Sequence, residues 1–310
     1  MKNSHTLDFC VIGAQKSGTT SLHYYLREHP QLRLPDSKEA PFFSDIVEFS
    51  KGVSWYFEEF FHGHGNDSAL LGTVSPTYMS YPVSVNRMYD SFPNIKLIAI
   101  LKDPIERAKS HYKMRVRAHG ETRSFEEVVL QQLDCIDQSK REFPTETDSY
   151  VFFGEYGRIL TRYLDYFRQQ QFLILYADEL KRKPDSALKK IYQFLAVKPL
   201  TEAVNELSYN ATLPIPPKNL KVNLANALNN RYVRLLGKRF VPERLKRRLR
   251  FWSVINRYDG KISGPIDVSL NNQTLQRLVD HYLIDMEVLE KSFMTSASWR
   301  DRFYKLKNER

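Results

Sequence analysis

Apolar residues fall in short blocks separated by amphipathic stretches. Residues 9–12 are uniformly apolar and stop at Gly13. A polar loop, 14–18, follows. From Thr19 the apolar positions then recur at helical spacing until the chain meets Pro30. Strand, glycine-bounded loop and helix in that order open an α/β fold. Residues 70–74, 95–101 and 172–176 predict further buried strands, and the last two have the apolar character of parallel strands covered on both faces. Helical spacing recurs over 124–133, 158–167, 184–195 and 273–293. The alternation predicts a central, mainly parallel sheet flanked by helices. Residues 213–217 hold three prolines and predict a loop. The simplest organisation is one domain over 1–310, with a more variable helical C-terminal third from about residue 200.

The chain has 310 residues, 42% of them hydrophobic, enough for a sizeable core. Its 46 Lys and Arg against 36 Asp and Glu leave a formal net charge of +10. Such a field attracts anions, whether nucleic acid, anionic lipid or small phosphate- and sulfate-bearing molecules. Only two cysteines occur, and Cys10 sits inside the first apolar block, so no disulfide is expected and a reducing compartment fits. The first ten residues carry no apolar signal core, and no apolar stretch reaches the length of a membrane span. The expectation is a soluble, cytoplasmic protein without a membrane span.

Charge alone does not choose among anions, but the first loop does. Gly13-Ala14-Gln15-Lys16-Ser17-Gly18-Thr19-Thr20 lies where a strand runs into a helix. Backbone N–H groups and the helix dipole favour an anion there. Gly13 and Gly18 permit close backbone approach. Lys16 offers an ammonium, and Ser17, Thr19 and Thr20 offer hydroxyls. Nucleoside-triphosphate P-loops place lysine after the second glycine, followed by Ser or Thr on magnesium. Here Lys16 precedes Gly18, so the pattern is not theirs.

Three further segments follow the same logic. After the strand at 95–101 comes Lys102-Asp103-Pro104-Ile105-Glu106-Arg107-Ala108-Lys109-Ser110-His111-Tyr112, with Pro104 suited to a first helical turn. Lys102 lies at the carboxyl end of a parallel strand, where open α/β sheets bind ligands. Ser110 lies about two turns along the helix and can face the same crevice. Lys38-Glu39-Ala40-Pro41-Phe42-Phe43 sets a carboxylate beside an apolar anchor, and Ser75-Pro76-Thr77-Tyr78 follows the strand at 70–74.

Together these blocks resemble the sulfotransferase family that uses 3'-phosphoadenosine-5'-phosphosulfate (PAPS), most closely its carbohydrate and heparan-sulfate-type branch with bacterial relatives. Residues 13–20 are similar to its 5'-phosphosulfate loop, 102–112 to its 3'-phosphate motif, 38–43 and 75–78 to two of its shorter segments, and 173–195 to a later strand–loop–helix block. The resemblance implies a P-loop-like fold and in-line sulfuryl transfer from PAPS, leaving adenosine 3',5'-bisphosphate (PAP), with no metal required. It implies that Lys16 contacts the bridging oxygen, that Ser17, Gly18, Thr19 and Thr20 cradle the 5' group, and that Lys102 and Ser110 hold the 3'-phosphate. Glu39 matches the carboxylate that acts as base in heparan-type members. Three departures stand out. Lys102 replaces the usual arginine, so a bidentate fork becomes a point charge. Thr73-Val74 replace a Glu-Lys pair of heparan-type members. The late 3'-phosphate loop has its best counterpart in Pro217-Lys218-Asn219.

The implied partner is a carbohydrate or small-molecule acceptor, with no nucleic acid; a sugar hydroxyl, a polyketide or lipid hydroxyl, and an alkaloid hydroxyl or amine all fit. His62 and His64 flank a glycine without an evident third metal ligand, and His111 matches no role. Residues 243–250 form a basic amphipathic tract, read as a solvated face or a contact for anionic acceptor or lipid. Two other classes compete: a P-loop kinase or nucleotide triphosphatase, and a non-catalytic basic module that binds anions.

Overall fold

The computed structural model describes residues 6–61, 68–137, 149–200 and 264–309. Its centre is a five-stranded sheet made of β1 (Phe9–Gly13), β2 (Leu32–Arg33), β3 (Leu70–Val74), β4 (Lys96–Leu101) and β5 (Phe172–Tyr176). The strands stand in the order β2-β3-β1-β4-β5, and every pairing is parallel. All five residues of β1 are buried, as its central position demands.

The helices are α1 (Thr19–Arg27), α2 (Ile46–Ser50), α3 (Gly52–Phe60), α4 (Pro82–Ser91), α5 (Pro104–His119), α6 (Phe125–Asp137), α7 (Tyr156–Leu164), α8 (Ala177–Arg182), α9 (Pro184–Leu195), α10 (Asn272–Phe293) and α11 (Arg300–Asn308). Pro82, Pro104 and Pro184 each open a helix, where the missing N–H costs nothing. Helix α10 packs on α6, α7 and α11.

The expected strands appear with shifts of at most one residue, and 184–195 is α9 throughout. Helix α7 begins two residues before the expected 158 and stops at Leu164. The early start has a non-local cause. The Asp285 carboxylate, on α10, accepts from the Gly157 and Arg158 backbone N–H groups, each at 2.8 Å. It thereby caps α7 from another element.

The chain forms two compact units, Met1–Tyr112 with Arg123–Leu207 and Asp267–Arg310, and Lys113–Thr122 with Ser208–Ile266. The first holds the sheet and every described site residue below. Of the second, residues 113–122 and 264–266 are described, and 113–119 continue α5. The proline loop 213–217, the pair Lys218 and Asn219, the tract 243–250, and His62 and His64 lie outside the described residues.

The strand order fixes where a ligand belongs. From β1 the chain runs to β2 and β3 on one side, then crosses to β4 and β5 on the other. The side on which successive strands are added therefore switches between β1 and β4, with all strands still parallel. Open parallel sheets bind ligands outside the carboxyl ends at such a switch point.

Candidate active site

Three loops leave the carboxyl ends of β3, β1 and β4, which are neighbours in the sheet. The central one is the loop after β1. Its first residue still belongs to the sheet, because the Ala14 N–H donates to the Ile100 carbonyl at 2.8 Å. The Ser17 N–H then turns back to the Ala14 carbonyl at 3.2 Å. Gly18 has φ +96°, the left-handed region that favours glycine, and opens α1. Lys16 also has positive φ, +71°, which is uncommon for a side-chain-bearing residue and costs on the order of 1–3 kcal/mol. Space is as tight as geometry: a Cβ on Gly13 would fall 2.6 Å from the Met79 Sδ. Helix α1 leans on the core through Thr19, Leu22, His23 and Leu26, which form one stripe.

The Ser17 side chain is 1% exposed, and its Oγ makes no well-formed hydrogen bond among the described residues. A buried hydroxyl at the mouth of this loop suits an acceptor-rich anion. Thr19 is buried, while Lys16 and Thr20 are half-buried.

After β4, Lys102 is half-buried. Desolvation lowers its pKa; the Glu106, Asp103 and Asp178 carboxylates oppose that shift, and Lys181 adds to it. The Asp103 Oδ1 accepts from the N–H groups of Ile105, at 2.9 Å, and Glu106, at 3.1 Å, capping α5. Its other oxygen is held by Arg302. Ser110 is half-buried and lies one turn beyond Glu106 on α5, on the same stripe. The Tyr156 hydroxyl of α7 donates to the Lys102 carbonyl at 2.9 Å and lies beside Ser17, so one side chain touches both loops.

The third loop, after β3, fixes Glu39. The Ser75 N–H donates to the Val11 carbonyl at 3.0 Å and the Met79 N–H to the Ile12 carbonyl at 2.9 Å, so the loop is stitched to β1. The hydroxyls of Ser75, at 3.2 Å, and Tyr78 both donate to the Ala40 carbonyl. Ala40, Phe42 and Phe43 are fully buried. The neighbouring Glu39 side chain stays 50% exposed and pairs with the Lys38 ammonium at 2.7 Å. Thr73 and Val74, which replace the Glu-Lys pair, are fully buried and uncharged.

The structure thus gathers Lys16, Ser17, Gly18, Thr19, Thr20, Lys102 and the segment carrying Glu39 at one edge of the sheet. Sequence patterns had not singled out Tyr156, or His23, which is 1% exposed on α1. Burial, then the charges of Arg27 and Lys38, lower the His23 pKa to about 3.

This arrangement is that of a sulfotransferase, and the chain belongs to that family: the family model for the sulfotransferase domain matches residues 7–235. It is 29% identical over 209 residues to the human bifunctional heparan sulfate N-deacetylase/N-sulfotransferase 2, a match covering 66% of this chain and 23% of that protein. It is 33% identical over 137 residues to the membrane-associated sulfotransferase kil1 of Dictyostelium discoideum, covering 42% of this chain and 29% of that one. The chain therefore spans less than a third of the length of either relative. Among solved structures, a sulfotransferase from Alicyclobacillus acidocaldarius has the same fold, with a TM-score of 0.61 at 24% identity over 96% of this chain and 99% of that one. No helix among the described residues is long and apolar enough to cross a membrane.

Proposed function

We propose that this protein transfers a sulfuryl group from PAPS to a hydroxyl or amine of a carbohydrate or small-molecule acceptor. The observation that carries the reading is the pair of lysine-bearing loops, after β1 and β4, side by side at the switch point. PAPS bears anions at both its 5' and 3' ends, so two adjacent cationic loops match it better than they match a ligand with one anion. Residues 218 and 219 lie outside the described residues and remain part of the proposal as a further contact for the 3'-phosphate.

PAPS supplies the sulfuryl group, and its loss leaves PAP. Lys16 stabilises the charge that grows on the leaving 5'-phosphate oxygen, and the N–H groups of the loop share it. Lys102 and Ser110 hold the 3'-phosphate and so fix the nucleotide's register. Glu39 accepts the proton from the acceptor as the new bond to sulfur forms opposite the breaking one. The Ser75 and Tyr78 hydroxyls keep its backbone in place, and Lys38 orients its carboxylate. A cytoplasmic setting belongs to the same reading, supported by Cys10 and Cys135, both free thiols.

The experiment is incubation with donor labelled in the sulfuryl group and a panel of sugars, hydroxylated lipids and amines. Label on an acceptor, dependent on PAPS and not produced from ATP, is the expected result. Transfer of a phosphoryl group from ATP would replace this reading with a kinase.

A further inference from the structure

Arg107 sits in the first turn of α5, and its side chain is 0% exposed. Its Nη2 donates to the Tyr150 carbonyl, while Nε and Nη1 have no partner among the described residues. No carboxylate pairs with it there; the titratable groups that act on it are the buried phenols of Tyr156 and Tyr282. A buried cation without a counter-ion is strongly unfavourable, and a guanidinium does not escape by losing its proton.

The surroundings show which way this charge faces. Side chains on a helix lean toward its N-terminus, which here is the Lys102 end of β4. At that end stands Tyr156, fully buried, its ring 5.7 Å from that of Trp299. The same phenol donates to the Lys102 carbonyl and lies beside the Ser17 hydroxyl. Burial raises its pKa, and Arg107 pulls the other way. Tyr156 thus reaches both anion loops and feels the buried charge of Arg107.

We infer that Arg107 and Tyr156 form a buried positioning pair beneath the two loops: Tyr156 holds Ser17 and Lys102 in register, and the charge of Arg107, which no carboxylate among the described residues answers, adds positive potential that a multiply charged anion balances. This rests on the donor reading above, but it concerns residues that touch no ligand themselves.

The test uses the full chain as wild type, Tyr156→Phe, Arg107→Met and Arg107→Lys, with PAP and AMP as probes. PAP and AMP affinities come from calorimetry, and thermal midpoints are measured without ligand. Failure of the wild type to bind PAP would sink the donor reading and is seen before any variant is compared. With binding present, Tyr156→Phe is expected to weaken PAP by about tenfold or more and AMP by less, because AMP does not span both loops. Arg107→Met is expected to weaken PAP by a similar factor without lowering the unliganded midpoint, and Arg107→Lys to retain most of the affinity. PAP affinity within about twofold of wild type in Tyr156→Phe, with a lowered midpoint, overturns the inference and makes the residue packing alone. That variant removes one oxygen and decides the matter even where Arg107→Met does not fold.

Discussion

The Ser75 hydroxyl donates to the Ala40 carbonyl at 3.2 Å, across 35 residues of chain, and ties the loop after β3 to the segment that carries Glu39. Tyr78 donates to the same oxygen, and its own carbonyl accepts from Tyr163 at 2.7 Å. Glu39 is therefore positioned through its neighbour's backbone while its carboxylate remains half-exposed beside Lys38.

Loosening that clamp should separate binding from turnover. Tyr78→Phe combined with Ser75→Ala is expected to cost about 1 kcal/mol of stability per lost bond and to lower kcat by about tenfold or more. PAP affinity, set at the β1 and β4 loops, should stay near wild type. A loss confined to PAP affinity would place the clamp's role elsewhere.

Lys16 and Glu39 should fail in different ways. Lys16→Ala is expected to abolish turnover and weaken the donor, because the ammonium meets charge in the ground state and more in the transition state. Glu39→Gln should leave donor affinity nearly unchanged and lower kcat on the order of 10²–10⁴-fold. Retention of most activity by Glu39→Gln on the acceptor identified by the labelled panel assigns the proton to another group.

Much of this was legible in the sequence because it is local. Strand blocks such as 172–176 carry a period and a composition that need no partner to be read. The glycine-bounded loop announces itself in the same way. What was not legible depends on distant elements. The two-residue strand β2 is too short to show a pattern. The start of α7 is set by Asp285, on α10. The clamp on Glu39 ends on a backbone oxygen, which no side-chain pattern reveals. Tyr156 and Arg107 read as ordinary helix residues until α7 and α5 bring them under the loops.

Lys102 should govern discrimination between nucleotides. Lys102→Ala is expected to weaken PAP by about tenfold or more, as each charge-assisted bond to a phosphate is worth about 1.5–3 kcal/mol. AMP should change little, so the two affinities converge. Because burial lowers the Lys102 pKa, PAP binding should also fade on the alkaline side at lower pH than an ordinary lysine would allow. An unchanged ratio of PAP to AMP affinity in the variant contradicts this assignment.

Acid should weaken the fold through His23. Its pKa is about 3 in the folded protein against 6.5 for an ordinary histidine, so between those values the unfolded chain binds a proton that the folded chain refuses. Stability from this group is present above 6.5 and is lost as the pH falls, at up to about 1.4 kcal/mol per pH unit. Asp285 acts in the opposite sense. Burial raises its pKa from 3.8 to about 6, so its contribution grows as the pH falls through that window. His23→Leu should therefore lose less stability than wild type on titration below 6.5, as followed by thermal midpoints. Parallel curves for the two proteins would show that His23 does not carry the effect.

The central claim is that two adjacent anion loops at the switch point read both ends of a bisphosphate nucleotide. Calorimetric titration of the wild-type chain with PAP and with AMP tests it most directly. The account predicts that PAP binds at about micromolar affinity or better and at least about tenfold more tightly than AMP. Equal affinity for the two nucleotides would contradict it.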